Sequence, residues 1–253
     1  RDADFILVDD LKAFRVRKVF TAGRLIAEDG RVLIPLDDAA AGAPSHSIHL
    51  KPLAEDALSL PVRTGKARVI GIEPASLVTK SLVREVKTDD AGCFQSALNP
   101  GLTKIAVIER HKRTGKLGIG ILEGYGLTGG AIATTISHDS HNIVVAGDND
   151  PDMLLAVREL ADMGGGIVSV HGGSIRRLPL PIAGLMTSAD PQEVNAVLHD
   201  MLVAARAELG IPEDVEPFMT LSFMALPVIP ELKLTARGLF NVNTFSFVGV
   251  EAD

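Results

Sequence analysis

Ser137-His138-Asp139-Ser140-His141-Asn142 gathers two imidazoles, a carboxylate, two hydroxyls and an amide into six residues, and it holds two of the chain's seven histidines. No other stretch is as dense in proton carriers and potential ligands. Three residues apart, His138 and His141 would face opposite sides of a strand, but on a tight turn or one helical turn they could share a face. Together with Asp139, or with a more distant acid such as Glu123 or Asp148, the pair could ligate a transition metal. The same residues could instead line a site without binding metal. A third reading is a polar turn whose Asp, Ser and Asn side chains satisfy backbone groups.

The flanking sequence shows how such a turn would be held. Ala131–Ile136 before it and Ile143–Ala146 after it are apolar and rich in β-branched residues, which predicts two strands joined through the cluster. Further strands are expected at Val69–Ile72, Val83–Lys87, Ile105–Glu109, Leu117–Leu122 and Ile167–Val170, with a turn at Thr114-Gly115. Asp150-Pro151 predicts a helix start, Leu154, Val157, Leu160 and Ala161 form its apolar stripe, and Gly164 ends it. A second helix follows Asp190-Pro191-Gln192-Glu193 in the manner of a capping box, carries Val194, Val197, Leu198, Met201, Leu202 and Ala205, and stops at Gly210 and Pro212. Near the N-terminus, Phe5–Val8, Val16–Thr21, Leu25–Ala27 and Val32–Ile34 read as short strands, with Asp29-Gly30 as a hairpin turn. These pieces predict an α+β chain in three parts: a β segment over 1–40, a linker over 41–66, and a mixed-sheet domain with packed helices over 67–253. The N-terminal strands are expected to be an orphan piece that completes a sheet whose other members lie elsewhere.

Other polar stretches read more simply. Gly147-Asp148-Asn149-Asp150 opens a helix, but its acidic side chains already occupy the dipole and disfavour phosphate. Gly164-Gly165-Gly166 lies between helix and strand, the reverse of a phosphate loop, and Gly172-Gly173 reads as a tight turn after His171. Pro217–Pro227 is the most apolar late stretch and reads as core.

Apolar residues make up 46% and charged residues 23%, with a net charge of −7, so polyanions are disfavoured as partners. Aromatics are 4%, which removes the stacking platforms that single-stranded nucleic acid needs. One cysteine, Cys93, excludes an internal disulfide and suits a reducing cytoplasm. No apolar run approaches the roughly 20 residues that span a bilayer, so no membrane partner is expected.

Gly129–Asn142, with Asn149-Asp150 after it, is similar to the C-terminal region of bacterial adenine deaminases, members of the amidohydrolase superfamily. Ile105–His111, Leu178–Met186, Pro217–Phe223 and Leu226–Leu234 carry the same resemblance in the same order, so that it covers nearly the whole chain. The first 34 residues resemble the closing β segment of the composite sheet domain that flanks the amidohydrolase barrel. This resemblance implies hydrolysis of adenine to hypoxanthine and ammonia, a divalent metal (manganese, iron or zinc), and a homo-oligomeric enzyme. The family's barrel supplies a His-x-His pair, whereas the histidine pairs here, His46/His49 and His138/His141, are spaced by three. The barrel and its ligands are therefore expected outside this chain, which is expected to be inactive alone. Within that reaction, His138, Asp139 and His141 are expected as proton carriers, and Ser137, Asn142 and Glu123 as substrate contacts. The alternatives are a non-catalytic assembly module of the same enzyme, or a small independent metal enzyme.

Overall fold

The computed structural model describes residues 2–35 and 45–252, in two compact units spanning 1–42 and 43–253. The first unit is an antiparallel meander of β1 (Phe5–Val8), β2 (Val16–Thr21), β3 (Arg24–Glu28) and β4 (Arg31–Val32). Ala22-Gly23 and Asp29-Gly30 both take positive φ at their two residues, the geometry that matches the twist of a two-residue hairpin. Phe5 and Phe20 stack with ring centroids 4.5 Å apart. None of the described side chains of this unit is fully buried.

The second unit is built on one eight-stranded sheet. Its strands are β5 (Lys66–Ile72), β6 (Thr79–Glu85), β7 (Leu102–Ile108), β8 (Leu117–Glu123), β9 (Gly130–Thr134), β10 (Ile143–Gly147), β11 (Gly166–His171) and β12 (Ser174–Pro179). The order is β12-β11-β9-β10-β7-β8-β5-β6. Only β5 and β8 run parallel, so the sheet is mixed. Helix α1 (Asp150–Asp162) packs its Met153, Leu154, Val157 and Leu160 on one face, against Ala131, Ala133, Val145, Val168 and Val170. The other face carries Ile105, Val107, Ile132, Val144 and Ile167. Helices α2 (Pro191–Ala207) and α3 (Pro217–Met224) cover it, together with a three-stranded sheet of β13 (Leu232–Thr235), β14 (Gly238–Asn241) and β15 (Ser246–Val248). Burial on both faces explains why the central strands are continuous apolar runs rather than alternating ones. Sheet and helices together make an α+β architecture.

Several local expectations change. The cap of α1 is Asn149, whose side chain accepts from the Asp152 amide, and Asp150 is the first helical residue. Pro217–Met224 is a helix; with apolar residues on every side it shows no periodic stripe. Its cap, Glu216, accepts from the Met219 amide. The strand expected at Val83–Lys87 is Thr79–Glu85, an edge strand whose polar residues gave little apolar signal. β12 and β13–β15 were not anticipated. Residues 36–40 of the expected β segment and 41–44 of the expected linker lie outside the described residues, while within the rest of that linker Leu58, Leu60 and Val62 are buried and the His49 amide donates to the Arg110 carbonyl. No helix among the described residues is long and apolar enough to cross a membrane.

The connection from β9 to β10 holds the histidine cluster. It leaves the sheet at the end where Ile143 pairs with Ile108 and Ile108 with Leu117. Glu123 pairs with Leu102 at the opposite end of the same strands, six residues and about 20 Å away along β8.

Candidate functional site

The turn is fastened at both shoulders. The His141 amide donates to the Ser137 carbonyl at 2.6 Å, and the His138 amide donates to the Ser222 carbonyl of α3 at 3.0 Å. The His138 ring lies against Phe223, 4.4 Å between centroids, and 6.3 Å from the His141 ring at 60°. His141 sits at φ +47°, in the left-handed region that a non-glycine residue occupies only when its surroundings hold it there. Ser137 is fully buried, Asn142 nearly so, His138 and His141 half-buried, and Asp139 and Ser140 exposed.

Arg110, just beyond the end of β7, supplies the hold. Its side chain is 1% exposed, its Nε donates to the His141 carbonyl at 2.5 Å, and its Nη2 donates to the Ala183 carbonyl at 3.0 Å. Its Nη1 donates to the carbonyl and hydroxyl of Ser47, at 3.2 and 3.1 Å. A Cβ on Gly184 would meet the guanidinium at 3.0 Å, so only glycine lets the 182–186 loop approach so closely. His111 Nε2 lies 2.8 Å from the Ser140 carbonyl. Glu109 shapes the neighbouring loop. Burial opposes its ionisation, but hydrogen bonds from the Thr114 amide and hydroxyl and from the His111 and Lys112 amides hold the carboxyl at about 2.

His141 is pushed below its ordinary value, first by burial and then by the positive neighbours Arg110 and His138; Asp139 pulls the other way, and His111 adds to the depression. The turn also concentrates buried polar atoms without partners: Ser137 Oγ, His141 Nδ1 and Asn142 Oδ1, three of the four such side-chain atoms among the described residues. A small apolar pocket of about 150 Å³ borders it, lined by Thr134, Ile136, Phe218 and Ser222 among others.

The structure thus brings together His138, Asp139, His141, Ser137 and Asn142, and it does not bring Glu123 to them. Glu123 accepts a two-pronged hydrogen bond from Arg84, at 2.5 and 2.8 Å. Both line a separate groove of about 830 Å³ with Lys66, Lys87 and Asn99. Asp148 also lies at the far end, where it accepts from the Gly129 and Gly130 amides, and His171 contacts the Gly129 carbonyl. Among the described residues no group of three or more His, Cys, Asp and Glu could hold a metal ion. Arg110 and His111 were missed as site residues; the one signal for them was three ionisable residues, Glu109-Arg110-His111, placed directly after an apolar strand.

The family model described as adenine deaminase C-terminal domain matches residues 76–246. A protein of Nitratidesulfovibrio vulgaris named adenine deaminase is 58% identical over 251 residues, 99% of this chain and 43% of that protein. One of Carboxydothermus hydrogenoformans named adenine deaminase 2 is 45% identical over 98% of this chain and 43% of its own length. One of Geobacillus kaustophilus named adenine deaminase is 43% identical over 99% of this chain and 44% of its own. The chain therefore spans less than half the length of the curated relatives it matches.

Proposed function

The chain belongs to the adenine deaminase C-terminal domain family, and from that premise we propose that it is the C-terminal part of an enzyme hydrolysing adenine to hypoxanthine and ammonia. The observation that carries a role for the turn is its set of buried, unpartnered polar atoms beside two imidazoles and an exposed carboxylate. Unsatisfied buried groups cost free energy, on the order of 1–3 kcal/mol each, and are retained where a function uses them.

The divalent metal implied by the family (manganese, iron or zinc) has no ligand set among the described residues. Its ligands are proposed to lie in a barrel outside this chain. Deamination at C6 adds water and expels ammonia, so protons must reach N1 and the departing nitrogen. His138, Asp139 and His141 are the groups in this chain suited to that transfer, while Ser137 and Asn142 offer a hydroxyl and an amide to orient a purine. Glu123 is no longer part of this set. The first unit is proposed to belong to the composite sheet beside the barrel. Its Phe5, Ile6, Leu7, Phe14, Val32 and Leu33 are exposed large apolar side chains, a surface that other protein would cover.

Replacing His138 or His141 by Ala in the longer enzyme should lower turnover by roughly 10²-fold or more, as expected for loss of a positioned acid or base, with bound metal retained. Unchanged turnover in both variants would remove the turn from the mechanism. A second reading, an assembly module, draws on exposed Val197, Val203 and Met219 on α2 and α3. It predicts normal turnover per assembly but fewer intact assemblies, which sizing of the same variants would reveal.

A further inference from the structure

Arg110 is a buried cation with no carboxylate partner among the described residues: its hydrogen bonds go to three carbonyls and one hydroxyl, drawn from Ser47, His141 and Ala183. Such an arrangement is costly, because carbonyl dipoles compensate a desolvated charge less well than a carboxylate does. It also brings together segments 63 and 73 residues away in sequence. An apolar residue would fill the space without the electrostatic cost, but it would bring no positive charge to the turn.

That charge bears on His141. The groups that act on its ring are Arg110 and His111 from the end of β7, and His138 and Asp139 from the turn itself. Three of the four are cationic or can become so, and the single carboxylate is exposed to solvent, where it is screened. Geometry adds a second constraint. Nδ1 of His141 is buried without a partner; the imidazolium carries a proton on both nitrogens, so charging this ring would bury an N–H with no acceptor. We infer that Arg110 is a positioning residue for the turn, fixing the His141 backbone at its left-handed φ and making the site present His141 as an uncharged imidazole, the form that accepts a proton. This inference rests on the reading of the turn as part of the reaction site.

The test is read on the substrate-free chain, by following its imidazole nitrogens by NMR from about pH 4.5 to 8.5. His141 should titrate below the ordinary imidazole value of about 6.5. Arg110→Met should raise its midpoint by about half a pH unit or more. Arg110→Lys, which keeps the charge but not the fork, should leave the midpoint low while amide-exchange protection falls at 137–142 and 183–185. A purely structural arginine would leave the midpoint of a folded Met variant unchanged, and that result overturns the inference. So does a native His141 that titrates at or above 6.5. Should Arg110→Met fail to fold, Arg110→Lys decides: amide-exchange protection at 137–142 and 183–185 that stays unchanged without the fork overturns the inference. If the midpoints move as stated while His141→Ala leaves turnover of the longer enzyme intact, the proposed reaction role fails and the Arg110–His141 coupling stands.

Discussion

Lys233, in β13, is fully buried, donates from Nζ to the Leu77 carbonyl at 2.9 Å, and has no ion-pair partner among the described residues. Burial alone pushes its amine down from 10.5 to about 8. Below pH 8 both folded and unfolded chains hold the proton, and the folded state bears the whole cost of the buried charge. Between pH 8 and the unfolded value the folded amine is neutral while the unfolded chain stays protonated, so stability rises with pH, by about 3 kcal/mol over the full interval. The reading belongs between pH 8 and 10, because Tyr125, a phenol held well above its ordinary 10.0 by burial, drives stability the opposite way once the unfolded phenol ionises. Lys233→Met removes the charge at similar volume, and should stabilise the chain at pH 7 and flatten the rise between pH 8 and 10. Urea denaturation at several pH values checks this; an equal slope in both proteins would show that Lys233 is not its source.

At the scale of elements, the close approach of the three-stranded sheet to β8 depends on Leu117-Gly-Ile-Gly-Ile-Leu122. Gly118 and Gly120 are two apart and share one face. A Cβ on Gly118 would lie 2.0 Å from the Thr235 carbonyl oxygen and 2.9 Å from the Gly238 nitrogen, whereas one on Gly120 would meet side chains rather than backbone, Leu239 at 3.3 Å and Ile105 and Leu234 at 3.6 Å. Gly118→Ala should cost about 2 kcal/mol or more, because backbone must move, and Gly120→Ala clearly less; thermal unfolding of the two variants gives the comparison. That alternation was visible in the sequence, but the β13–β15 sheet it admits was not, since Lys233 and Arg237 broke its apolar pattern. The helices α1 and α2 were legible because their caps and stripes are local, and the β9 and β10 runs because each is continuously apolar. α3 was not, having no polar face to define a period. The same division holds at the site. The turn announced itself by composition, whereas Arg110 binds oxygens from three distant segments, and Glu123 was separated from the cluster only by the length of β8.

The molecule as a whole is acidic, with net charge −7, and it spans 43% of its relative from Nitratidesulfovibrio vulgaris. The first unit leaves Phe5, Ile6, Leu7 and Phe14 exposed, while the second buries both faces of a large sheet. Adenine presents an unactivated amino group on an aromatic ring, and water at neutral pH is a poor nucleophile toward C6. A bound metal would overcome this by lowering the pKa of its water toward 7, which would take about three protein ligands converging on one point. His138 and His141 offer two imidazoles, with Asp139 exposed beside them, and their rings stand 6.3 Å apart; no ligand set of three forms among the described residues. His141 Nδ1 is moreover enclosed rather than open to an ion. The 253-residue chain, supplied with manganese, iron or zinc, should therefore release no ammonia from adenine above a metal-free control, while the longer enzyme does so under the same conditions. Ammonia produced by this chain in proportion to added metal would place the ligands within it and make the turn their first candidate. Ammonia produced by neither protein would instead remove the deaminase reading, since nothing in that outcome depends on where the metal is held.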